Sequence, residues 1–198
     1  MLPNEYETLC WAENRLVMGI DEAGRGPLCG PCVAACCILP VNYENEEIND
    51  SKQLSEKKRN ALFQTIIENA VYYRFNIISP QMIDRYDIYH ATQRAMKELA
   101  LSTDLHSITI TDAMPLDCPD TVSIIKGDAK SISIAAASIL AKVLRDHIMY
   151  GYDVLYPQYE YAKHKGYGTR RHLELMDKYG LNELYRMSYR PCREIKLF

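Results

Sequence analysis

The residues with the clearest chemical potential are two adjacent carboxylates, Asp21 and Glu22, which follow an apolar stretch and precede the residues Ala-Gly-Arg-Gly-Pro. Neighbouring side chains on a regular strand point to opposite faces, so the strand must end or bend here if both acids are to share one site. Gly24 and Gly26 allow such a change of direction and let a ligand approach the main chain closely. An exposed acidic turn, with Glu22 paired to Arg25, is the alternative interpretation.

Two further acids, Asp112 and Asp128, follow β-rich segments at residues 106–111 and 121–125. Acids at three strand ends could meet at one edge of a sheet, although acids also end strands because they favour turns. Carboxylate oxygens are the ligands that Mg²⁺ and Mn²⁺ prefer. Two such ions about 3.5–4 Å apart can activate a water and stabilise the leaving oxygen of a phosphodiester, without a histidine base.

One face of a long predicted helix carries Ser138, Lys142 and Arg145. A phosphate backbone could lie along this face. The alternative is a solvated surface on which Lys142 pairs with Asp146, four residues further on.

A glycine-containing loop with the sequence HKGYGT occupies residues 164–169 and precedes another predicted helix. The N-terminus of a helix favours phosphate. Tyr167 could stack on a sugar or a base.

The elements that must position these residues alternate between strands and helices. Alternating and apolar runs predict strands at 15–20, 32–39, 71–78, 106–111 and 121–125. Helical spacing predicts helices after the N-cap Ser55, over 87–101, from 132 to about 149, and over 169–179. This order predicts an α/β fold with a central mixed β-sheet flanked by helices, followed by a small helical C-terminal portion.

The composition and charge fit a globular protein that holds phosphates at one end. Of the 198 residues, 47% are hydrophobic and 25% are charged, which allows a core and argues against disorder. The net charge is −3, but residues 163–198 have nine basic and four acidic residues and carry +5, so the rest carries −8. A basic end and an acidic body suit phosphate and metal binding respectively, unless the surface charge is merely uneven.

The chain contains no run that approaches the roughly 18 apolar residues of a membrane helix. Residues 1–14 have no basic residue and no apolar core, so they do not form a signal peptide. We therefore expect a cytoplasmic protein without a membrane partner, and by default a monomer.

Seven cysteines, an odd number, argue against a disulfide framework in such a protein. Cys29 and Cys32 form a C-x-x-C pair, which leaves a dithiol oxidoreductase as one alternative. A zinc site that adds Cys36 and Cys37 is another. These last two are adjacent in a predicted strand and should face opposite sides, so small buried thiols are the favoured interpretation.

Taken together, the segments resemble ribonuclease HII over nearly the whole chain, from about Arg15 to Pro191. The matching blocks are GIDEAGRGPL at 19–28, NDSKQLS at 49–55, KGD at 126–128, AASILAKV at 136–143 followed by Arg145-Asp146, and HKGYGT at 164–169. The first block is the most specific. Its glycine loop favours the type 2 enzyme over the related type 3.

The resemblance implies an RNase H-like fold and a metal-dependent endonuclease. It implies that the enzyme hydrolyses the RNA strand of RNA–DNA hybrids, and single ribonucleotides embedded in duplex DNA. Cleavage would occur 5′ to the ribonucleotide by two-metal-ion catalysis with Mn²⁺ or Mg²⁺, and would leave 3′-hydroxyl and 5′-phosphate ends. The expected division is an N-terminal extension (1–14), a catalytic domain (15–160) and a helical substrate-binding portion (161–198).

The resemblance also assigns roles to individual residues. The catalytic and metal-binding acids would be Asp21, Glu22, Asp112 and Asp128. The residues that sense the 2′-hydroxyl at the RNA–DNA junction would be Gly24, Arg25 and Gly26, and Tyr167 would stack on the neighbouring deoxyribose. The remaining substrate-binding residues would be Ser138, Lys142 and Lys165.

The chain departs from the family pattern in two places. Ala113-Met114 follows Asp112, where the family usually has Gly-Asn or a similar pair, so Asp117 is the fallback for the third acid. The usual Ser-Phe-x-Pro is Ser-Tyr-Arg-Pro at 188–191. A hybrid-binding module without catalysis is the alternative from another class, but the presence of all four acids does not favour it.

Overall fold

The structure is a computed structural model that describes residues 5–49, 51–106 and 108–195. Residues 1–4 of the predicted N-terminal extension, Asp50, Ser107 of the predicted fourth strand and the last three residues lie outside the described residues. The strands are β1 (Val17–Ala23), β2 (Cys32–Ile38), β3 (Tyr72–Ile78), β4 (Ile108–Asp112) and β5 (Thr121–Ile124). The α-helices are α1 (Glu5–Ala12), α2 (Glu56–Asn69), α3 (Pro80–Tyr86), α4 (Ile88–Ala100), α5 (Ile132–Leu155), α6 (Tyr161–His164), α7 (Arg170–Tyr179) and α8 (Arg190–Glu194).

The five strands form one mixed sheet in the order β3-β2-β1-β4-β5. β1 pairs antiparallel with β2 and parallel with β4, and β4 pairs parallel with β5. Helices pack on both faces, so the predicted α/β class with a central mixed sheet is confirmed. Among the described residues, no helix has the length and apolar character to cross a membrane.

β1 is longer than the sequence pattern predicts, which corrects one expectation. The prediction placed its end near Ile20, or required a bend there, but the ladder with β2 continues through Ala23, opposite Val33. The strand therefore stays regular through Asp21 and Glu22, and their side chains leave opposite faces of the sheet. Asp21 points towards α5, and Glu22 towards the face on which α4 packs.

Helix α5 lies directly on the backbone of β1. Ser131 caps the helix, since its hydroxyl oxygen accepts a hydrogen bond from Ile134 N–H at 3.1 Å. A Cβ atom added at Gly19 would lie 2.2 Å from the carbonyl carbon of Ser133, which leaves no space for any side chain there. α1 contributes a buried carboxylate, Glu7, whose Oε1 accepts from Ser131 Oγ at 2.7 Å and Ser133 N–H at 2.9 Å. The start of α5 is thus fixed from two sides.

The seven cysteines are all free, and six of them are buried. Cys36 and Cys37 belong to the cores on opposite faces of the sheet, as their adjacency predicts. Burial raises the pKa of both Cys29 and Cys32 to about 12, so neither thiol ionises readily near neutral pH. These cysteines form no zinc-type cluster within the described residues. The structure thus supports their interpretation as core residues.

A separate aromatic core under the C-terminal helices contains a buried histidine, His172. Its Nδ1–H donates to the Tyr167 carbonyl at 2.9 Å, and its ring stacks on His164 with centroids 4.0 Å apart. Because a carbonyl can only accept, Nδ1 carries the proton and the neutral ring can accept from the Tyr185 hydroxyl through Nε2, at 3.0 Å. Burial, followed by the nearby His164, lowers the pKa of His172 to about 4.

We therefore expect the folded protein to lose stability as the pH falls from about 6.5 to about 4. The unfolded chain binds a proton at His172 in this window and the native state does not, which is worth about 3 kcal/mol for this group. Urea unfolding of wild type and His172→Gln at pH 7 and pH 4.5 measures the effect, with the exposed His147→Gln as control. Equal pH dependence in wild type and His172→Gln would reject this assignment.

Candidate active site

Three aspartates from separate segments of the chain lie together at one edge of the sheet. Asp21 is near the end of β1, Asp112 is the last residue of β4, and Asp128 lies in a 3₁₀ turn, Gly127–Ala129, after β5. One carboxylate oxygen from each lies within 4.8 Å of the others. The pairing of β1 with β4 explains this, because Ile20 is opposite Thr111 and the next residue on each strand is an acid.

Main-chain donors orient two of these carboxylates. The N–H of Glu22 donates to Asp21 Oδ1 at 2.8 Å, and the N–H of Gly127 donates to Asp112 Oδ1 at 2.8 Å. Asp112 is thereby tied to the turn that carries Asp128. The fallback residue, Asp117, is fully exposed and lies 3.7 Å from Lys97 Nζ, so it takes no part in the cluster.

The turn after Asp112 explains the first departure from the family pattern. Ala113 adopts a φ of 50°, in the left-handed region that glycine occupies readily. Its N–H donates to the Ile124 carbonyl at 3.0 Å, which holds the turn against the end of β5. The geometry is therefore retained without glycine, at a cost of about 1 kcal/mol.

The acids crowd negative charge into a largely buried space. Burial raises the pKa of Asp21 well above its ordinary value, and the charges of Glu22 and Asp112 add to the effect. Ser138 opposes it through a hydrogen bond to the Asp21 carboxylate. Lys52 brings a cation to the cluster, since its Nζ lies 3.1 Å from Asp128 Oδ2. A set of hard oxygen donors with excess negative charge fits a divalent cation.

Glu22 lies beside the three-aspartate cluster, not within it. Its carboxylate is 3.5 Å from Arg25 Nη1, and its Oε2 is buried without a hydrogen-bond partner among the described residues. Burial raises the pKa of Glu22, the Arg25 charge lowers it, and Asp112 raises it again. The Glu22–Arg25 pair of the alternative interpretation thus forms, but at the site, with a largely buried Glu22 and an exposed Arg25.

The glycine loop and the predicted stacking residue are neighbours in space. Gly24 has a φ of +100°, and Arg25 and Gly26 are exposed. A Cβ added at Gly26 would lie 3.8 Å from Cε1 of Tyr167, whose ring is 44% exposed. The loop and this ring therefore form one accessible surface.

The predicted phosphate-binding face of α5 is largely occupied by contacts within the protein. Ser138 is buried and its hydroxyl lies 2.9 Å from that of Ser51. Lys142 forms the alternative ion pair, with Nζ 2.7 Å from Asp146 Oδ1. Arg145 is fully buried, so the expectation that it lines a phosphate site is wrong.

Lys165, the remaining predicted substrate-binding residue, is half-buried. Its Nζ lies 3.9 Å from the centroid of the Tyr150 ring and donates to the Ala162 carbonyl. Burial lowers the pKa of Lys165, while Asp146 and Glu56 oppose the shift. The Lys165 amine thus contacts groups of its own chain in this structure.

Sequence reasoning assigned no role to three residues that the structure brings to the site. Ser51 and Lys52 lie in the 49–55 block, whose match to the family was the available signal. Arg186, which donates to the carbonyl of Gly24 at 2.7 Å, had no signal, since isolated arginines are common in a basic C-terminal segment.

The chain is similar in sequence to known proteins. The sequence model of a family described as ribonuclease HII matches residues 18–192. A relative named ribonuclease HII from Listeria monocytogenes serotype 4b (strain F2365) is 48% identical over 196 residues, which is 98% of this chain and 75% of the relative.

Two solved structures share the fold. The ribonuclease H2 of Pyrococcus horikoshii OT3 aligns with a TM-score of 0.79 and 24% identity, over 91% of this chain and 96% of that one. Bst-RNase HIII, crystallised in complex with Mn²⁺, aligns with a TM-score of 0.69 and 15% identity, over 94% of this chain and 71% of that one.

Proposed function

The chain belongs to the ribonuclease HII family and is an endoribonuclease of RNA–DNA hybrids, and on that premise we propose that it also cuts duplex DNA at single embedded ribonucleotides. Cleavage occurs 5′ to the ribonucleotide by two-metal-ion catalysis and leaves 3′-hydroxyl and 5′-phosphate ends. The observation that carries the proposal is the cluster of three carboxylates beside an exposed glycine loop and Tyr167.

The metal-binding residues are Asp21, Asp112, Asp128 and Glu22. The first three supply oxygens within 4.8 Å of one another. Glu22 supplies a buried oxygen without a partner among the described residues, and its pKa responds to Asp112. Mn²⁺ or Mg²⁺ suits this donor set, and Bst-RNase HIII has been solved with Mn²⁺. These carboxylates would hold divalent ions, which would supply activation of the attacking water and stabilisation of the leaving oxygen.

Ser138 acts on the site from within the protein. It is buried, donates to Asp21 and touches the Ser51 hydroxyl at 2.9 Å, so its role is to orient a carboxylate. Lys142 is available to the phosphate backbone once it exchanges Asp146 for a phosphate. That exchange replaces one charge-assisted contact by another, so the net free-energy change is small.

Recognition of the ribonucleotide rests on the surface formed by residues 24–26 and Tyr167. Only the 2′-hydroxyl distinguishes RNA from DNA at one nucleotide, so the reader must approach the sugar closely. Gly26 is exposed and has no side chain to obstruct that approach. Tyr167 offers an exposed ring on which the neighbouring deoxyribose can stack. Arg25, whose side chain is 43% exposed, connects this surface to the acids through its contact with Glu22.

The test is incubation with a DNA duplex that carries one ribonucleotide, in Mn²⁺ or Mg²⁺. We expect one nick 5′ to the ribonucleotide, abolished by EDTA and strongly reduced by Asp128→Asn. An all-DNA duplex and a continuous RNA–DNA hybrid are the controls. Cleavage of the hybrid alone, at an enzyme concentration that leaves the embedded ribonucleotide intact, would reject the finer specificity.

A further inference from the structure

Two arginines are completely buried next to the glycine loop, and the mechanism above uses neither of them. Arg145 comes from α5, and Arg186 precedes α8; both are 0% exposed. Within the described part of the chain, neither guanidinium lies within 4.0 Å of a carboxylate oxygen. Burying a charge without an opposite charge is unfavourable unless its hydrogen bonds are well made. Their contacts must therefore account for their presence.

Both guanidiniums donate mainly to main-chain carbonyls of the loop between β1 and β2, residues 24–31. Arg186 Nη2 donates to Gly24 O at 2.7 Å, Nη1 to Arg25 O at 2.9 Å, and Nε to Gly30 O at 3.1 Å. Arg145 Nε donates to Pro31 O at 2.9 Å. The planar guanidinium offers five donors in a fixed arrangement, so it can hold several carbonyls at once.

The two carbonyls that Arg186 binds determine where the N–H groups of the loop point. In a planar trans peptide the C=O and the following N–H point in opposite directions. Since Gly24 O and Arg25 O both face the buried guanidinium, the N–H groups of Arg25 and Gly26 are turned away from it. In the described part of the chain, neither N–H donates to a main-chain carbonyl. They are therefore donors available to a ligand.

Arg145 connects this loop to the segment that carries Tyr167. Its Nη2 donates to Lys165 O at 2.9 Å, and its guanidinium carbon lies 5.9 Å from the Tyr167 ring centroid. A Cβ added at Gly24 would lie 2.1 Å from Arg145 Nε, so loop and guanidinium are in direct contact. One side chain thus spans both halves of the recognition surface.

We propose that Arg145 and Arg186 are positioning residues that set the orientation of the 24–26 loop and its distance from Tyr167, and thereby set the preference for an embedded ribonucleotide. The ligand of the two outward N–H groups is the one that the proposed function already gives this loop, the 2′-hydroxyl of the ribonucleotide. This inference rests on the proposed function. It adds the buried residues through which the surface loop acquires its selectivity.

The test compares kcat/KM on two substrates, a DNA duplex with one ribonucleotide and a continuous RNA–DNA hybrid, in the same Mn²⁺ buffer. Arg186→Lys and Arg145→Lys keep the charge but lose the forked geometry. We expect the single-ribonucleotide value to fall about tenfold or more. The kcat/KM on the continuous hybrid should fall less. Its RNA strand presents a 2′-hydroxyl at every nucleotide, so the enzyme can bind it at several positions. A selective change in this ratio is what a merely structural role would not produce.

A milder variant keeps the test informative if the lysine variants do not fold. The Tyr189 hydroxyl donates to Arg25 O at 2.6 Å and accepts from Arg186 Nη1 at 3.0 Å. Tyr189→Phe should lower the ratio about threefold, consistent with the loss of one hydrogen bond. Tyr72→Phe is the matched control, since its hydroxyl contacts Ser102, and it should leave the ratio unchanged.

The outcomes separate the inference from the proposed function. If wild type cuts the embedded ribonucleotide and the variants lower kcat/KM equally on both substrates, the positioning role is overturned and the proposed function stands. If wild type leaves the embedded ribonucleotide uncut, both are overturned. A ratio that falls in the arginine variants and in Tyr189→Phe, but not in Tyr72→Phe, supports the inference.

Discussion

Asp21→Asn is expected to reduce metal-dependent cleavage by a factor of about 10² to 10³ while leaving the metal-free fold at least as stable as wild type. Asp21 is 4% exposed and lies among Glu22, Asp112 and Asp128. Its carboxylate is therefore a proposed metal ligand, and its negative charge repels those of the neighbouring acids. Asparagine keeps the shape and removes the charge. Removing a buried charge from a like-charged group relieves repulsion, while metal binding loses a negative ligand.

The measurements are the cleavage rate at saturating Mn²⁺ and the melting temperature with and without Mn²⁺. Wild type should gain stability from the metal, because a ligand that binds only the native state shifts the unfolding equilibrium. The variant should gain much less. Asp117→Asn is the matched control, because Asp117 is exposed and outside the cluster. A variant that retained more than about a tenth of the wild-type rate would contradict the assignment of Asp21.

Gly19→Ala is expected to destabilise the fold by about 3 kcal/mol or more. The added Cβ would lie 2.2 Å from the Ser133 carbonyl carbon and 2.5 Å from Ile134 N. Both neighbours are backbone atoms at the start of α5, which cannot move aside like a flexible side chain. Relief would require the helix to rise from the sheet, with loss of packing along its whole length.

Urea denaturation measures this effect, and α5 itself supplies the control. Gly151 lies in the same helix, and an added Cβ there meets nothing within 4 Å. Gly151→Ala should therefore stabilise the protein by about 0.5–1 kcal/mol, as expected for glycine in an exposed helix interior. Similar effects of the two substitutions would show that the close approach at Gly19 has little influence on stability.

The sequence allowed the fold class to be predicted, because it depends on local patterns, and it offered the grouping of the aspartates as a possibility. Apolar runs identified β1 and β4, and acids at their ends could meet only if those strands were neighbours. The extra length of β1 was not predictable. It results from pairing with β2 through Ala23 opposite Val33, which is a property of the sheet and not of the segment.

Arg145 shows why helical spacing alone misassigns a side chain. It shares one face of α5 with Lys142, and periodicity cannot tell whether solvent or protein covers each part of that face. The loop between β1 and β2 covers Arg145, while the Lys142 side chain stays 22% exposed beside Asp146. Arg186 could not be identified for the same reason, since its partner Gly24 is 162 positions away in the sequence.

The three clustered aspartates are far apart in the sequence, at positions 21, 112 and 128. The parallel pairing of β1 with β4 brings the first two together. No short fragment contains all the ligands, and contacts between such distant positions form only with the global topology. If the three aspartates hold the metal as proposed, a truncated polypeptide that stops before Asp128 is expected to show no cleavage.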